Sequence, residues 1–270
     1  MKPSKILLTL SLTSFALVSS LTALAAENPP SPSANPLSTG QVDQVKKIVH
    51  DYLVTNPQVL VEASMALQKQ EVQKVEEKSK QAIVTNAKQI FADPASPVVG
   101  NAKGDVTVVE FFDYQCPHCK DMGPLLEKVH SADGNLRIVM KELPIFGAGS
   151  KDAAAAALAS QKQGADKYLK LHNALLAAEN PLNKDKIMQV AKSVGLDTAQ
   201  LAKDMDSADV KKQLDDNFNL AQALGLMGTP TFIISKWKVG ADNNSVTAAL
   251  FVPGVVSADK LKDLIAQARK

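Results

Sequence analysis

The chain holds two cysteines in 270 residues, and both stand in Cys116-Pro117-His118-Cys119. A Cys-x-x-Cys pair that opens a helix suits thiol–disulfide exchange. Pro117 fits the first helical position, where its missing N–H is not needed, which puts Cys116 at the N-cap and Cys119 in the first turn. Unpaired backbone N–H groups and the positive end of the helix dipole then favour a thiolate on Cys116. His118 adds a donor or a positive charge beside it. Each 1.4 kcal/mol that stabilises the dithiol form makes the disulfide about 30 mV more oxidising. Other uses fit less well. Zinc needs four ligands, and His50, His130 and His172 are scattered without metal spacing. C-type haem attachment needs His directly after the second cysteine, where Lys120 stands. An inert bridge over so small a loop would stabilise least.

Two further stretches bear on this pair. Glu110 interrupts an apolar run six residues before Cys116. Buried there, its carboxyl would have a raised pKa and could accept or relay the proton of Cys119; the alternative is a strand end facing solvent. Far downstream, Gly228-Thr229-Pro230-Thr231 leads into another apolar run. Proline is tolerated at the start of a strand, and a cis bond would leave the Thr229 backbone free to pair with an incoming peptide.

The elements that must position these residues can be read from periodicity. Residues 106–112 form a near-continuous β-branched and aromatic run, the pattern of a central strand covered on both faces. Helical spacing follows at Met122, Leu125, Leu126 and Val129, and a second strand at 136–140. A strand-helix-strand unit of this length implies a parallel pair with a right-handed crossover. Helices are expected at 153–159, 167–178, 184–194, 198–205 and 209–224, then strands at 231–234 and 248–252 and a closing helix at 259–268. Upstream, Val42, Val45, Ile48, Val49 and Leu53 recur at helical steps after Ser38 or Thr39 as N-cap. Asn56-Pro57 breaks that helix. A second one is expected to run unbroken over 57–92, about 54 Å at 1.5 Å per residue. Its middle, 68–81, is rich in Gln, Glu and Lys, so it has little to bury alone. Apolar clusters at both of its ends point to self-association, although the heptad register is poor.

The first residues read as a targeting segment. Met1 to Lys5 is basic, 6–18 is apolar, and Ala23-Leu24-Ala25 supplies small residues for cleavage, so 1–25 is expected to be a signal peptide. Residues 26–40 form a proline-rich linker, 41–93 a helical oligomerisation region, and 98–270 the domain with the cysteines. Cleavage removes Lys2 and Lys5 and no acid, so the net charge of +2 falls to 0. A neutral chain has no electrostatic footprint for nucleic acid. Export places the cysteines in an oxidising compartment, where disulfides persist.

The run Glu110-Phe111-Phe112, then Cys116-Pro117-His118-Cys119, a long helical stretch and a late Thr229-Pro230 before Thr231-Phe232 together resemble the DsbA family of periplasmic thiol:disulfide oxidoreductases. The likeness covers about 98–270. It implies an α/β thioredoxin fold with a helical insertion at about 149–225, here preceded by an N-terminal helical oligomerisation arm. It further implies Cys116 as nucleophile, Cys119 as resolving cysteine, Pro230 as a cis-proline facing them and Glu110 as the buried acid, with Pro117 and His118 completing the motif. The redox-active Cys116–Cys119 disulfide would be the only redox group. Partners would be exported cysteine-containing proteins and a DsbB-like or DsbD-like membrane redox protein. Two departures stand out. Thr229 occupies the place where oxidases of the family carry Val and so resembles the disulfide isomerases. The arm resembles those of larger oligomeric members, which implies a homo-oligomer, with a dimer favoured, and isomerase activity beside oxidation.

Overall fold

The computed structural model describes residues 37–164, 166–237, 246 and 249–270. The expected signal peptide and most of the linker lie outside the described residues. Two compact units are present, one ending at Val61 and the other spanning Glu62–Lys270.

The first unit is built on helix α1, Thr39–Thr55, which starts in a capping box: the Ser38 side chain accepts from Gln41 N–H while the Gln41 side chain reaches back to the Ser38 backbone. That reciprocal pair satisfies two orphan N–H groups of the first turn. Nothing in α1 is buried, and Val45, Ile48, Val49 and Tyr52 are exposed.

Helix α2, Gln58–Thr85, begins just after Pro57. It does not run on to residue 92 as the sequence pattern implies. Asn86 leaves helical geometry at φ −104° and ψ 16°, and its side chain donates to Ala82 O at 2.8 Å, competing with the backbone ladder. A short helix α3, Ala87–Phe91, follows. Ile83, Ala87, Ile90 and Phe91 are buried in one apolar cluster with Val109, Phe111, Ile233 and Trp237. This end of the arm is therefore part of the core, not of a solvated rod. Two cations fix it there: Arg137 Nη1 donates to Phe91 O at 2.7 Å, and Lys141 Nζ donates to Gln89 O at 2.8 Å and Asp93 Oδ2 at 2.9 Å.

The sheet has five strands in the order β1-β3-β2-β4-β5. They are β1 Val98–Gly100, β2 Val106–Phe112, β3 Leu136–Glu142, β4 Thr231–Ser235 and β5 Leu250–Pro253. Strands β2 and β3 are parallel, and the other pairs are antiparallel. Strand β1 is too short to show a period in the sequence. Every residue of β2 is buried, as a central strand with helices on both faces requires. Its alternation divides the core: Val106, Val108 and Phe112 join one cluster, and Val109 and Phe111 join the other. Between β2 and β3 runs α4, Pro117–Ala132. The insertion between β3 and β4 comprises α5 Ala148–Ser160, a 3-10 turn at Gln161–Gln163, α6 Lys167–Ala177, α7 Lys184–Ser193, α8 Thr198–Met205 and α9 Ala208–Ala223. Helix α10, Ala258–Arg269, closes the chain. Among the described residues no helix is long and apolar enough to cross a membrane.

Candidate functional site

Cys116 ends the loop after β2 and is the N-cap of α4, with extended backbone angles of φ −71° and ψ 118° and Pro117 at the head of the helix. Pro117 and His118 are exposed, while Cys116 and Cys119 are buried. Both cysteines are free thiols. The Thr229–Pro230 peptide bond is cis. The Cys116 thiol donates to Thr229 O at 3.3 Å, a contact between residues 113 apart in the chain. The two stretches singled out in the sequence thus form one site.

Beneath it, Glu110 is buried at 3% exposure, so the solvent-facing alternative does not hold. Burial pushes its carboxyl up to about 8. Burial likewise pushes the Cys119 thiol well above the ordinary thiol range; Glu110 and Cys116 add to this, and the Asp113 backbone and Thr229 hydroxyl oppose it. A thiol so placed gives up its proton only to a nearby base. A carboxyl titrating close to neutral pH has the proton affinity for that exchange.

The DSBA-like thioredoxin domain model matches residues 107–266, more than half of the chain. The chain belongs to the DsbA-like thioredoxin family. Its arm matches a second model, the N-terminal domain of copper resistance protein ScsC, over residues 41–74. Among curated relatives, the thiol:disulfide interchange protein DsbA of Bordetella pertussis is 32% identical over 152 residues, covering 54% of this chain and 71% of that protein. Among solved structures, a thioredoxin-like oxidoreductase from Silicibacter pomeroyi is 41% identical with a TM-score of 0.60, covering 67% of this chain and 96% of that one. BcfH of Salmonella enterica Typhimurium is 31% identical with a TM-score of 0.70, covering 86% of this chain and 97% of that one. The fold is the thioredoxin-like DsbA fold with an N-terminal helical segment, and the family is one of thiol:disulfide oxidoreductases.

In this DsbA-like chain the loop before Cys116 is held by residues that the sequence pattern does not mark. Asp113 Oδ1 accepts from Gln115 N at 2.7 Å, and its Oδ2 accepts from Ile145 N at 2.7 Å and Phe146 N at 3.0 Å. Gln115 Nε2 donates to Phe146 O at 3.1 Å and Ser150 Oγ at 3.2 Å, and its Oε1 accepts from Leu182 N at 2.9 Å. The residue before Cys116 therefore stitches the loop to the helical insertion. Lys120 Nζ donates to the carbonyls of Leu175, Leu176 and Ala178 at 3.2, 3.1 and 2.6 Å. It thereby sets a cation against the negative end of α6, and burial, with Lys186 nearby, lowers its pKa. These partners lie roughly 30 to 70 positions away in the chain, so no local spacing reveals them. Beside Thr229 and Pro230 opens a groove of about 810 Å³ whose walls include Met227, Phe251, Val252 and Leu264.

Proposed function

We propose that this chain is exported to the periplasm, where it introduces disulfide bonds into exported cysteine-containing proteins and also isomerises them. Cys116 is the nucleophile, Cys119 the resolving cysteine, Glu110 the proton acceptor, and Thr229 with cis-Pro230 the backbone on which a substrate segment docks. In oxidation, a substrate thiolate attacks the Cys116 sulfur of the Cys116–Cys119 disulfide, and Cys119 leaves as a thiolate and takes a proton from Glu110, which accepts it back when the pair is reoxidised. A second substrate thiolate then attacks the substrate sulfur of the mixed disulfide and releases Cys116. The substrate gains a disulfide, the pair is left reduced, and a DsbB-like membrane protein reoxidises it. In isomerisation, the reduced Cys116 attacks a substrate disulfide and is displaced by another thiol of the same substrate, with no net redox change.

The observation that carries this reading is the contact between the Cys116 thiol and Thr229 O at 3.3 Å, across a cis bond, at the mouth of an apolar groove. Cys116→Ser is expected to abolish both insulin reduction and the refolding of reduced ribonuclease; activity at the wild-type level would end the reading. The exposed apolar face of α1 supports self-association into a homo-oligomer, in which paired sites could hold one misbridged substrate. Thr229 in place of valine favours a second reading, a dedicated isomerase or reductase kept reduced by a DsbD-like donor. The redox state of the pair in cells separates the two: mostly oxidised pairs support disulfide donation, and mostly reduced pairs support the second reading.

A further inference from the structure

A second buried acid lies next to Glu110 and takes no part in the exchange described so far. Glu142 ends β3 with no exposure and pairs with Phe112 of β2, while Glu110 pairs with Met140 two steps back in the same parallel register. Strand alternation puts both carboxyls on the face that carries Val108, Phe112, Ile138 and Met140. They are diagonal neighbours in a dry layer, where two carboxylates ionise together only at high cost.

Glu142 is wired to other groups. Its Oε1 lies 3.0 Å from Tyr114 Oη and 2.8 Å from Tyr168 Oη. Tyr114 Oη lies 3.0 Å from His172 Nδ1. Glu142 Oε2 is buried with no hydrogen-bond partner, an arrangement that disfavours the carboxylate more than the neutral acid. The titratable groups facing Glu142 are Glu110, Asp113 and Tyr114 from β2 and its loop, and Tyr168 and His172 from α6. None of them supplies a positive charge: burial lowers the His172 pKa to about 3, so the ring stays neutral. His172 stacks on Tyr168 and meets Phe112 edge-on. It also lines a cavity of about 190 Å³ that is shared with Glu127, His130 and Asn173.

We propose that His172, Tyr114 and Glu142 form a proton relay that governs whether Glu110 can serve as base for Cys119. The proposal rests on the thiol:disulfide reading above. With Glu142 ionised, both tyrosines donate to Oε1, His172 carries its proton on Nδ1 and donates to Tyr114, and Glu110 stays protonated and idle. A proton arriving from the cavity at His172 Nε2 releases the Nδ1 proton to Tyr114 Oη, which passes its own to Glu142 Oε1. One proton has entered, Glu142 is neutral, and His172 has changed tautomer without changing charge. Glu110 can then ionise and take the proton of Cys119. These groups act through Glu110 and are positioning residues, not catalytic ones.

Glu142→Gln holds this position neutral while keeping an oxygen for both tyrosines. Disulfide exchange with a model peptide, followed from pH 5 to 9, should show an inflection that disappears in Glu110→Gln. In Glu142→Gln that inflection should move down by about one pH unit, a tenfold rise in ionised Glu110 below it. An inflection unmoved within about 0.3 unit overturns the relay while leaving the exchange reading intact. A wild-type protein without any exchange activity overturns both. If Glu142→Gln does not fold, nitrogen-15 spectra of the unaltered chain decide. His172 should pass from the Nε2–H tautomer at low pH to the Nδ1–H tautomer at high pH, and a single tautomer throughout refutes the relay.

Discussion

Glu110→Gln is expected to make the protein more stable and slower at the same time. The Glu110 carboxyl titrates near 4.5 in an ordinary setting and near 8 where it is buried. Below about pH 4.5 both the folded and the unfolded chain hold the proton, and the carboxyl contributes no pH dependence. As the pH rises from 4.5 towards 8, the unfolded chain releases the proton while the folded one retains it. The unfolded state gains, and stability falls by about 1.36 kcal/mol per pH unit. The deficit reaches about 3 kcal/mol at pH 7 and levels off near 5 kcal/mol above pH 8. Glutamine never ionises and lacks this slope.

Trp237 provides the readout. It is the one tryptophan in the chain, fully buried, and stacked on Phe91 with ring centroids 5.4 Å apart. Urea unfolding followed by its fluorescence at pH 4.5, 6 and 7.5 should show a stability difference between variant and wild type that widens with pH. Near pH 8, where Glu110 ionises, the variant should exchange disulfides about 10²-fold more slowly, the size of a lost general base, and the gap should narrow as the pH falls. A difference that stays constant with pH, or a variant less stable than wild type at pH 7.5, would refute the argument that burial raises this carboxyl.

The opposite pH sign is expected at Asp93. Burial pushes its carboxyl up, but the charge of Lys141 and hydrogen bonds from Gln213, Lys141 and Ser96 bring it down to about 2. Its stabilisation, about 2 kcal/mol, is complete above pH 4 and is lost as the pH falls towards 2; thermal melts of Asp93→Asn over pH 2 to 5 should lack that acid limb. Gly149→Ala should destabilise by about 1–3 kcal/mol in chemical denaturation, because a methyl there would overlap the Leu182 carbonyl oxygen and crowd the Gln115 side chain. Ile48→Asp with Tyr52→Ser should shift the mass seen by light scattering to that of a single chain while leaving the urea midpoint of the Trp237 signal unchanged. A double variant that stays oligomeric would place the association elsewhere.

Much of the site was legible because its signals are local. The tetrapeptide with Pro117, the apolar strand before it and the Thr-Pro before a later strand each fit within ten residues. What stayed hidden depends on groups that meet only after folding. Glu142 follows Lys141 just past the strand expected at 136–140, so nothing in the local pattern marks it as a buried acid. Its partners Tyr114, Tyr168 and His172 lie 26 to 58 residues from one another or from Glu142 in three hydrogen bonds. In the sequence His172 stands out only as one of three scattered histidines without metal spacing. The break at Asn86 was missed because nothing nearby marks it: no glycine or proline stands there, and a side chain folding back on its own helix does the work. Arg137 and Lys141 look like exposed strand charges, yet they are buried against the carbonyls of α3 and the Asp93 carboxylate.

The arm and the site obey different physics, and this bears on how the direction of exchange is set. The cysteine pair, Glu110 and Thr229 are held by contacts within one chain, so their chemistry does not depend on concentration. Helix α1 has 17 residues and buries none of them. A helix of that length without tertiary packing is marginal in water. Covering Val45, Ile48, Val49 and Tyr52 would stabilise it, which a second copy of the same face can do. In the proposed homo-oligomer, association and helix formation would be one equilibrium, and the population of paired sites would rise with protein concentration. If isomerisation needs two sites on one substrate and oxidation needs only one, dilution should lower the ratio of isomerase to oxidase activity while leaving the rate per site of oxidation unchanged. A ratio that stays constant across the dilution range in which the oligomer dissociates would separate the arm from the direction of the chemistry.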